Sequence, residues 1–291
     1  MNSYIKLARP SHWVKNLFIF TPLFFSGQLG SMTNDISALA TFFLFSFAAS
    51  SIYVLNDIKD VDRDRNHPEK KNRPIASGAV PIASAWIYYF LLSSMALIPA
   101  IFFDLGYEYI AGYIVLNILY TFILKHIAIV DITCISVGFV LRVLIGGAVT
   151  GIAISKWLIL MTFLLSIGLA LGKRRSEVII ANNGSGEIRP SLAGYNLEFI
   201  NLTLVFTAVT SLICYIMYSV STEVITQFNS DKLYLSSIFV FLGIMRFIQI
   251  AIVEQRSGSP TKILLKDAFI QIVLFIWILF FAVIIYTPWL Q

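Results

Sequence analysis

An all-α polytopic membrane protein of about nine transmembrane helices is predicted from three observations. Hydrophobic residues make up 58% of the 291 positions and charged residues only 13%, and the mean hydropathy is +0.81, values that soluble domains rarely show. Apolar stretches of membrane-crossing length recur along the whole chain, at 17–30, 36–55, 81–103, 107–124, 128–151, 157–171, 199–220, 233–253 and 266–288. The cations gather on alternate connections between these stretches, as the chain of a multi-pass protein requires. The count is nine, and because the first and sixth stretches are short, eight is the alternative.

Taken in order, the first stretch follows Lys6, Arg9 and Lys15 and contains Pro22. The second runs into a polar segment, LNDIKDVDRDRNHPEKKNRPIASG from Leu55 to Gly78, with Lys59, Arg63, Arg65, Lys70, Lys71 and Arg73. The third and fourth flank a short turn bearing Asp104, with Glu108 just beyond it, and Lys125 follows the fourth. Lys156 separates the fifth from the sixth, which leads into a second polar segment, LGKRRSEVIIANNGSGEIRPSLAG, with Lys173, Arg174, Arg175 and Arg189. Glu223, Asp231 and Lys232 join the seventh to the eighth, and Arg256, Lys262 and Lys266 precede the ninth. The side opposite the cation-rich face carries only Lys156 and Lys232, beside Asp35, Asp104, Glu108, Glu223 and Asp231.

The positive-inside rule therefore places the basic face and the N-terminus in the cytoplasm, with the C-terminus outside. The formal charge of +5 is a topology signal and not a sign of nucleic acid. Cys134 and Cys214 fall in mid-span, where they act as small apolar residues outside any disulfide framework. The N-terminal stretch, interrupted by Pro22 and lacking a small-residue cleavage site, is not read as a signal peptide. The organisation expected is one transmembrane domain, 1–291, with cytoplasmic polar segments at 56–80 and 172–198.

The first polar segment carries the chemistry. Asn56, Asp60 and Asp64 fall at i, i+4 and i+8, so on a helix they form a ladder along one face. Asp57 and Asp62 add to a run of acids that would repel one another without a cation. Magnesium prefers hard oxygen ligands and is usually held by one or two carboxylates together with substrate phosphates, so the ladder predicts Mg2+ and a phosphorylated substrate. Lys59, Arg65, Lys70, Arg256 and Lys262 are equally well read as purely topogenic.

The second polar segment is basic where the first is acidic. Aligning Arg73-Pro74 on Arg189-Pro190 also superposes Gly78 on Gly194, which hints at pseudo-repeat halves 1–127 and 128–291. An acidic, metal-holding wall and a basic wall, facing each other across a cytoplasmic cavity, would suit a substrate with several phosphates. Arg142 and Arg246 lie inside apolar segments, where a charge is costly unless it faces protein or a wet cavity. Each is read as a functional or a structural cation, and Asp131 as a cap, a partner for Arg142 or a substrate ligand. Tyr53, Tyr120 and Tyr195 sit where spans meet the basic face and serve either phosphate binding or the aromatic belt. His12 and His67 are read as loop residues, and no cluster has zinc spacing.

On these residues the chain resembles the UbiA-type intramembrane prenyltransferase superfamily, whose first signature, Asn-x-x-x-Asp-x-x-x-Asp, is matched by Asn56, Asp60 and Asp64. The resemblance implies nine helices around a central cavity open to the cytoplasm, a magnesium-bound diphosphate and lateral access for lipid. Most members carry a second aspartate-rich motif after the sixth helix, where this chain has GKRRSE at Gly172–Glu177. With RPSHWVKN at Arg9–Asn16, HPEKKNRPIASG at His67–Gly78 and SVGFVLRVLIGGAVTG at Ser136–Gly151, that departure is similar to the decaprenyl-phosphate phosphoribosyltransferase branch.

The branch implies a reaction between phosphoribosyl pyrophosphate and a polyprenyl phosphate, giving polyprenyl-phosphoryl-ribose 5-phosphate and pyrophosphate for cell-envelope glycan synthesis. Asn56, Asp60 and Asp64 are then catalytic through the metal. Lys173, Arg174 and Arg189 are expected at the 5-phosphate, and Lys15, Arg73, Lys125 and Arg142 at the pyrophosphate or the lipid phosphate. Asn16, Asp57, Tyr120, Glu177 and Tyr195 complete the expected substrate-binding set. The implied partners are the two substrates and the surrounding membrane lipids, and the sequence sets no oligomeric state. Two other readings stay open: prenyl transfer from an allylic diphosphate to an aromatic or quinone-precursor acceptor, and a non-catalytic transporter or scaffold for lipid phosphates.

Overall fold

The structure is a computed structural model and describes residues 3–66, 70–182 and 190–286. Its regular elements are helical, and no strand occurs among the described residues. The chain divides into two compact units, one running to Ala153 and the other starting at Ile154. Among the described residues, six helical stretches are long and apolar enough to cross a membrane, so this is a multi-pass membrane protein.

The first unit contains α1 (Ser3–Ala8), a 3₁₀ segment (Pro10–Phe20), α2 (Thr21–Ser26), α3 (Met32–Lys59), α4 (Val61–Arg65), α5 (Ile82–Phe102), α6 (Tyr107–Phe122) and α7 (Val130–Thr150). Helices α3, α5 and α7 are three of the six spans. Along α5 the buried positions are Ala85, Tyr89, Leu92, Ala96 and Ala100, a helical stripe rich in small residues. Its opposite face shows Ile87, Phe90, Ile98 and Phe102. Small residues inside and large apolar ones outside is the membrane pattern, because close backbone approach, not apolar burial, drives helices together in lipid. Ala48, Ala49, Ser50 and Ser51 of α3 are buried in the same way, around a core that includes Phe45, Ile52, Ile110 and Ile145.

The stretch expected as the first span is not a continuous α-helix. Pro22 has no N–H to donate to the preceding turn, and the Phe18 carbonyl is taken by the Thr21 hydroxyl at 2.7 Å and the Thr21 N–H. The chain therefore runs as a 3₁₀ segment to Phe20 and restarts at Thr21 as the six-residue α2. The segment is pinned against its neighbours. Trp13 Nε1 donates to Ser50 Oγ at 3.0 Å, and Asn16 Nδ2 donates to Ser46 Oγ at 2.7 Å. At Gly146 of α7 any Cβ would overlap the Ile19 carbonyl, so only glycine admits the segment at that depth.

The second unit contains α8 (Lys156–Asn182), α9 (Leu197–Ser219), α10 (Thr222–Phe228), α11 (Ser237–Ile252), α12 (Pro260–Lys266) and α13 (Ala268–Tyr286). Helices α8 and α9 are spans, as is the stretch Lys232–Ile252 that includes α11. Helix α8 outruns the expected 157–171 and carries Lys173–Glu177 as its continuation. The reason is local: Lys173 and Arg174 pair with Glu177 one turn on, at 3.9 and 2.5 Å, in the spacing that supports a helix. Asn196 caps α9 by accepting from the Phe199 N–H at 2.7 Å.

Candidate active site

Helix α3 ends at Lys59, yet the polar ladder keeps helical register across the junction. The Asp60 N–H donates to the Asn56 carbonyl at 2.9 Å and the Asp64 N–H to the Asp60 carbonyl at 2.8 Å. Asn56, Asp60 and Asp64 are thus on successive turns through α3 and α4, as their spacing predicts. Asp57 and Asp64 are almost fully buried, each 2% exposed.

Each ladder side chain has a partner. Asn56 Oδ1 accepts from the Thr121 hydroxyl at 2.8 Å, Asp60 Oδ1 pairs with Lys125 Nζ at 2.8 Å, and Asp64 Oδ2 pairs with Arg73 Nη1 at 2.6 Å. The same Arg73 nitrogen reaches Asp57 Oδ1 at 3.1 Å, and Arg9 Nη2 meets that oxygen at 2.5 Å. Asp57 is accordingly an anchor for two guanidinium groups, and among the described residues its buried Oδ2 has no hydrogen-bond partner. Three carboxylates are balanced here by Arg9, Arg73 and Lys125, which is how acids can be held this deep without prohibitive desolvation cost.

A second cluster adjoins through the 3₁₀ segment. Asn16 is fully buried, and its Oδ1 accepts from Arg142 Nε at 2.7 Å. Arg142 also donates to the Gly138 carbonyl at 2.6 Å and to the Tyr113 hydroxyl at 3.4 Å. Its Cζ lies 4.7 Å from the Phe45 ring centroid, 4.9 Å from that of Tyr113 and 5.3 Å from that of Phe139, so aromatic faces hold much of its charge. Lys15 stands within range of two guanidiniums, and its pKa is pushed down to about 8 by burial first, then by Arg142 and Arg9.

Arg9 is a site residue that spacing did not single out. It has φ 52 and ψ 58 and precedes Pro10, so its left-handed backbone is disfavoured both for a side-chain-bearing residue and for a pre-proline position. The ion pair to Asp57 and the Tyr53 ring, 5.1 Å from its Cζ, hold it there. The Arg-Pro dipeptide was the available signal. Thr121 was missed as well, since nothing in a lone threonine announces a partner on another helix.

Arg9, Asp57, Arg73 and Asp64 therefore form one bonded network, the Asp60–Lys125 and Asn56–Thr121 pairs stand on the neighbouring turns of the ladder, and Lys15, Asn16 and Arg142 adjoin them. Tyr120 sits half-buried on α6 beside Thr121. In the second unit, Lys173 is exposed, Arg174 and Tyr195 are buried, and Glu177 lies between them in exposure. Arg175 donates to Asn201 Oδ1 at 2.9 Å and to the Ala251 carbonyl at 2.6 Å, so it ties α8 to α9 and to α11. Arg246 meets Asp267 at 2.7 Å and Glu254 at 2.8 Å, a structural role. Arg189 and His67 lie outside the described residues.

As a donor set, two carboxylates and an amide oxygen on one stripe suit magnesium, which accepts an oxygen-only, incomplete protein shell. Among the described residues, no group of three or more His, Cys, Asp or Glu side chains stands together as a metal cage. The ladder fits a metal that takes its remaining ligands from water and substrate.

The pattern of the UbiA prenyltransferase family matches residues 17–174. The chain belongs to that family. It is 32% identical to the decaprenyl-phosphate phosphoribosyltransferase of Mycolicibacterium smegmatis, over 96% of this chain and 91% of that protein. The enzyme of the same description from Corynebacterium glutamicum is 28% identical over 97% of this chain and 86% of its own. Among solved structures, a UbiA homolog from Archaeoglobus fulgidus bound to GPP and Mg2+ superposes with a TM-score of 0.70 at 18% identity, covering 97% of this chain and 99% of that one. Within this UbiA family chain, the ladder and its cations all fall in the part the family pattern covers, except Arg9, Lys15 and Asn16, which precede it.

Proposed function

We propose that this protein transfers the 5-phosphoribosyl group of phosphoribosyl pyrophosphate to a polyprenyl phosphate, releasing pyrophosphate, at the cytoplasmic face of a bacterial inner membrane. The observation that carries this reading is the near full-length similarity to the mycobacterial and corynebacterial phosphoribosyltransferases. The GKRRSE sequence at Gly172–Glu177, in place of a second aspartate motif, supports it.

In the reaction an oxygen of the lipid phosphate attacks the anomeric carbon of ribose, and the bond from that carbon to the pyrophosphate oxygen breaks. Magnesium held by Asn56, Asp60 and Asp64 would neutralise charge on the departing pyrophosphate. Arg73 and Lys125, in direct contact with the ladder carboxylates, would pair with phosphate oxygens brought to them. Thr121 fixes the Asn56 amide, and Asp57 fixes Arg9 and Arg73. A phosphate nucleophile is already ionised at neutral pH, so no general base is needed. The donor's second charged end calls for cations of its own, and Lys173, Arg174 and Arg189 are proposed for it on chemistry alone.

The test supplies labelled phosphoribosyl pyrophosphate and polyprenyl phosphate to the purified protein with Mg2+. A labelled lipid and released pyrophosphate are expected. Prenyl transfer from an allylic diphosphate with no labelled lipid would establish the family's other chemistry instead. Replacing Lys173 and Arg174 together should raise KM for the donor several-fold more than KM for the lipid, and an equal rise in both would reject that assignment.

A further inference from the structure

Around the ladder, Arg9, Arg73 and Lys125 are each ion-paired, and Arg142 is held by Asn16, Gly138 and three aromatic rings. Lys15 differs. Among the described residues it has neither a hydrogen bond nor an ion pair, although Arg142 and Arg9 are close enough to act on its charge. The segment bearing it is nonetheless tightly fixed. A strained Arg9–Pro10 entry, the Trp13–Ser50 and Asn16–Ser46 bonds, the Asn16–Arg142 bond and the Gly146 notch all hold it. A lysine carried on so constrained a segment, beside two guanidiniums and with no counter-ion, is a built receptor for an anion.

The surroundings indicate which anion. Two residues on, Leu17 is 52% exposed. The segment also runs along an aromatic wall: Trp13 lies 6.5 Å from Phe43 and 6.1 Å from Phe47, Phe18 lies 5.1 Å from Phe139, and Phe20 lies 5.8 Å from Phe42. A charged head continuous with an apolar tail fits a cation beside such a wall, whereas a sugar phosphate gains nothing from it. Arg9, at the entry to the segment, is joined to the ladder through Asp57 and Arg73, which pairs with Asp64.

We infer that Lys15 is the receptor for the phosphate monoester head of the polyprenyl phosphate acceptor, placed next to the donor's metal-bearing ladder; this rests on the phosphoribosyl-transfer reading above. Lys15 must be protonated for the role, and in the free protein it loses its proton near pH 8. Binding an anion restores the proton, so lipid affinity declines as pH rises through 8. The other charged or titratable groups on this segment and the elements packed against it are Arg9, His12, Tyr53, Asp57, Asp35, Lys59, Asp131, Cys134 and Arg142.

Equilibrium binding to the full chain in detergent tests this, using a polyprenyl monophosphate, phosphoribosyl pyrophosphate with Mg2+, and inorganic phosphate as separate probes. Lys15→Met should weaken lipid-phosphate binding at least tenfold while changing donor binding less than twofold, with the far-ultraviolet circular dichroism unchanged. Wild-type lipid binding should fall severalfold between pH 7.5 and 9.5, and Lys15→Arg should bind comparably at pH 7.5 and stay level to 9.5. Inorganic phosphate should displace the lipid only at a hundredfold excess or more. Donor binding falling as far as lipid binding in Lys15→Met, a flat wild-type pH profile, or displacement by equimolar phosphate would overturn the assignment. Lipid binding that depends on Lys15 in a protein that transfers no phosphoribosyl group would instead reject the proposed reaction and leave the receptor standing.

Discussion

At the scale of single residues, the ladder works through oxygens whose orientation is set by other helices. Asp60→Asn and Asp64→Asn should each lower phosphoribosyl transfer by about 100-fold or more, with the protein still folded and membrane-inserted; near-native rates in both would remove the metal assignment. Thr121→Val deletes the hydroxyl that donates to Asn56 at 2.8 Å. It should weaken apparent magnesium affinity by roughly fivefold, the worth of about 1 kcal/mol for one hydrogen bond, measured as the Mg2+ concentration for half-maximal rate. The ladder was legible because its three members share one helix and their spacing is a property of that helix. Arg9 and Thr121 were not, because each meets its partner only when distant parts of the chain are packed together. Arg142 was legible as an expensive cation but not as one wrapped by Phe45, Tyr113 and Phe139.

At the scale of elements, the glycine notch at Gly146 is one of the anchors that seat the 3₁₀ segment from Pro10 to Phe20. Gly146→Val would force the Ile19 backbone outward, costing about 1–3 kcal/mol of overpacking strain, and would displace Lys15 and Asn16 with it. A lowered unfolding temperature and reduced transfer are expected, and an unchanged unfolding temperature would contradict the contact. In the second unit the Arg246–Asp267 pair joins α11 to the start of α13, where Asp267 also caps the Ile270 N–H at 3.0 Å. The Arg246 hydrogen bond holds the Asp267 carboxyl below the usual carboxylate range, and that of Arg256 does the same for Glu254. Their stabilisation is thus complete above the ordinary carboxylate range near pH 4 and lost as pH falls through the lowered values. Unfolding temperature should hold level from pH 8 to 5 and drop only below about 4, with Asp267→Asn reducing the size of that drop. Helix existence was largely readable from hydropathy. Where helices end was less so: Pro22 divides the expected first span, and the Lys173–Glu177 pairs carry α8 past the point where its apolar character stops.

At the scale of the whole molecule, the distribution of cations predicts a cytoplasmic N-terminus and a cytoplasmic polar face. Cysteine substitutions at Lys70 and at Asp104, after replacement of Cys134 and Cys214 by serine, should be labelled from opposite sides of sealed membrane vesicles by an impermeant thiol reagent. Labelling from the same side would contradict the topology. The multi-pass class was evident from composition alone, while the chemistry needed both polar segments, because an aspartate ladder by itself is shared by enzymes that move prenyl groups and enzymes that move phosphoribosyl groups. The most direct test of the central claim is transfer of label from ribose-labelled phosphoribosyl pyrophosphate to polyprenyl phosphate by the purified wild-type protein with Mg2+. A lipid carrying labelled ribose 5-phosphate, formed in equal amount with pyrophosphate and absent with Asp64→Asn, is the predicted result; label remaining wholly in the aqueous phase while an allylic diphosphate is consumed would contradict it.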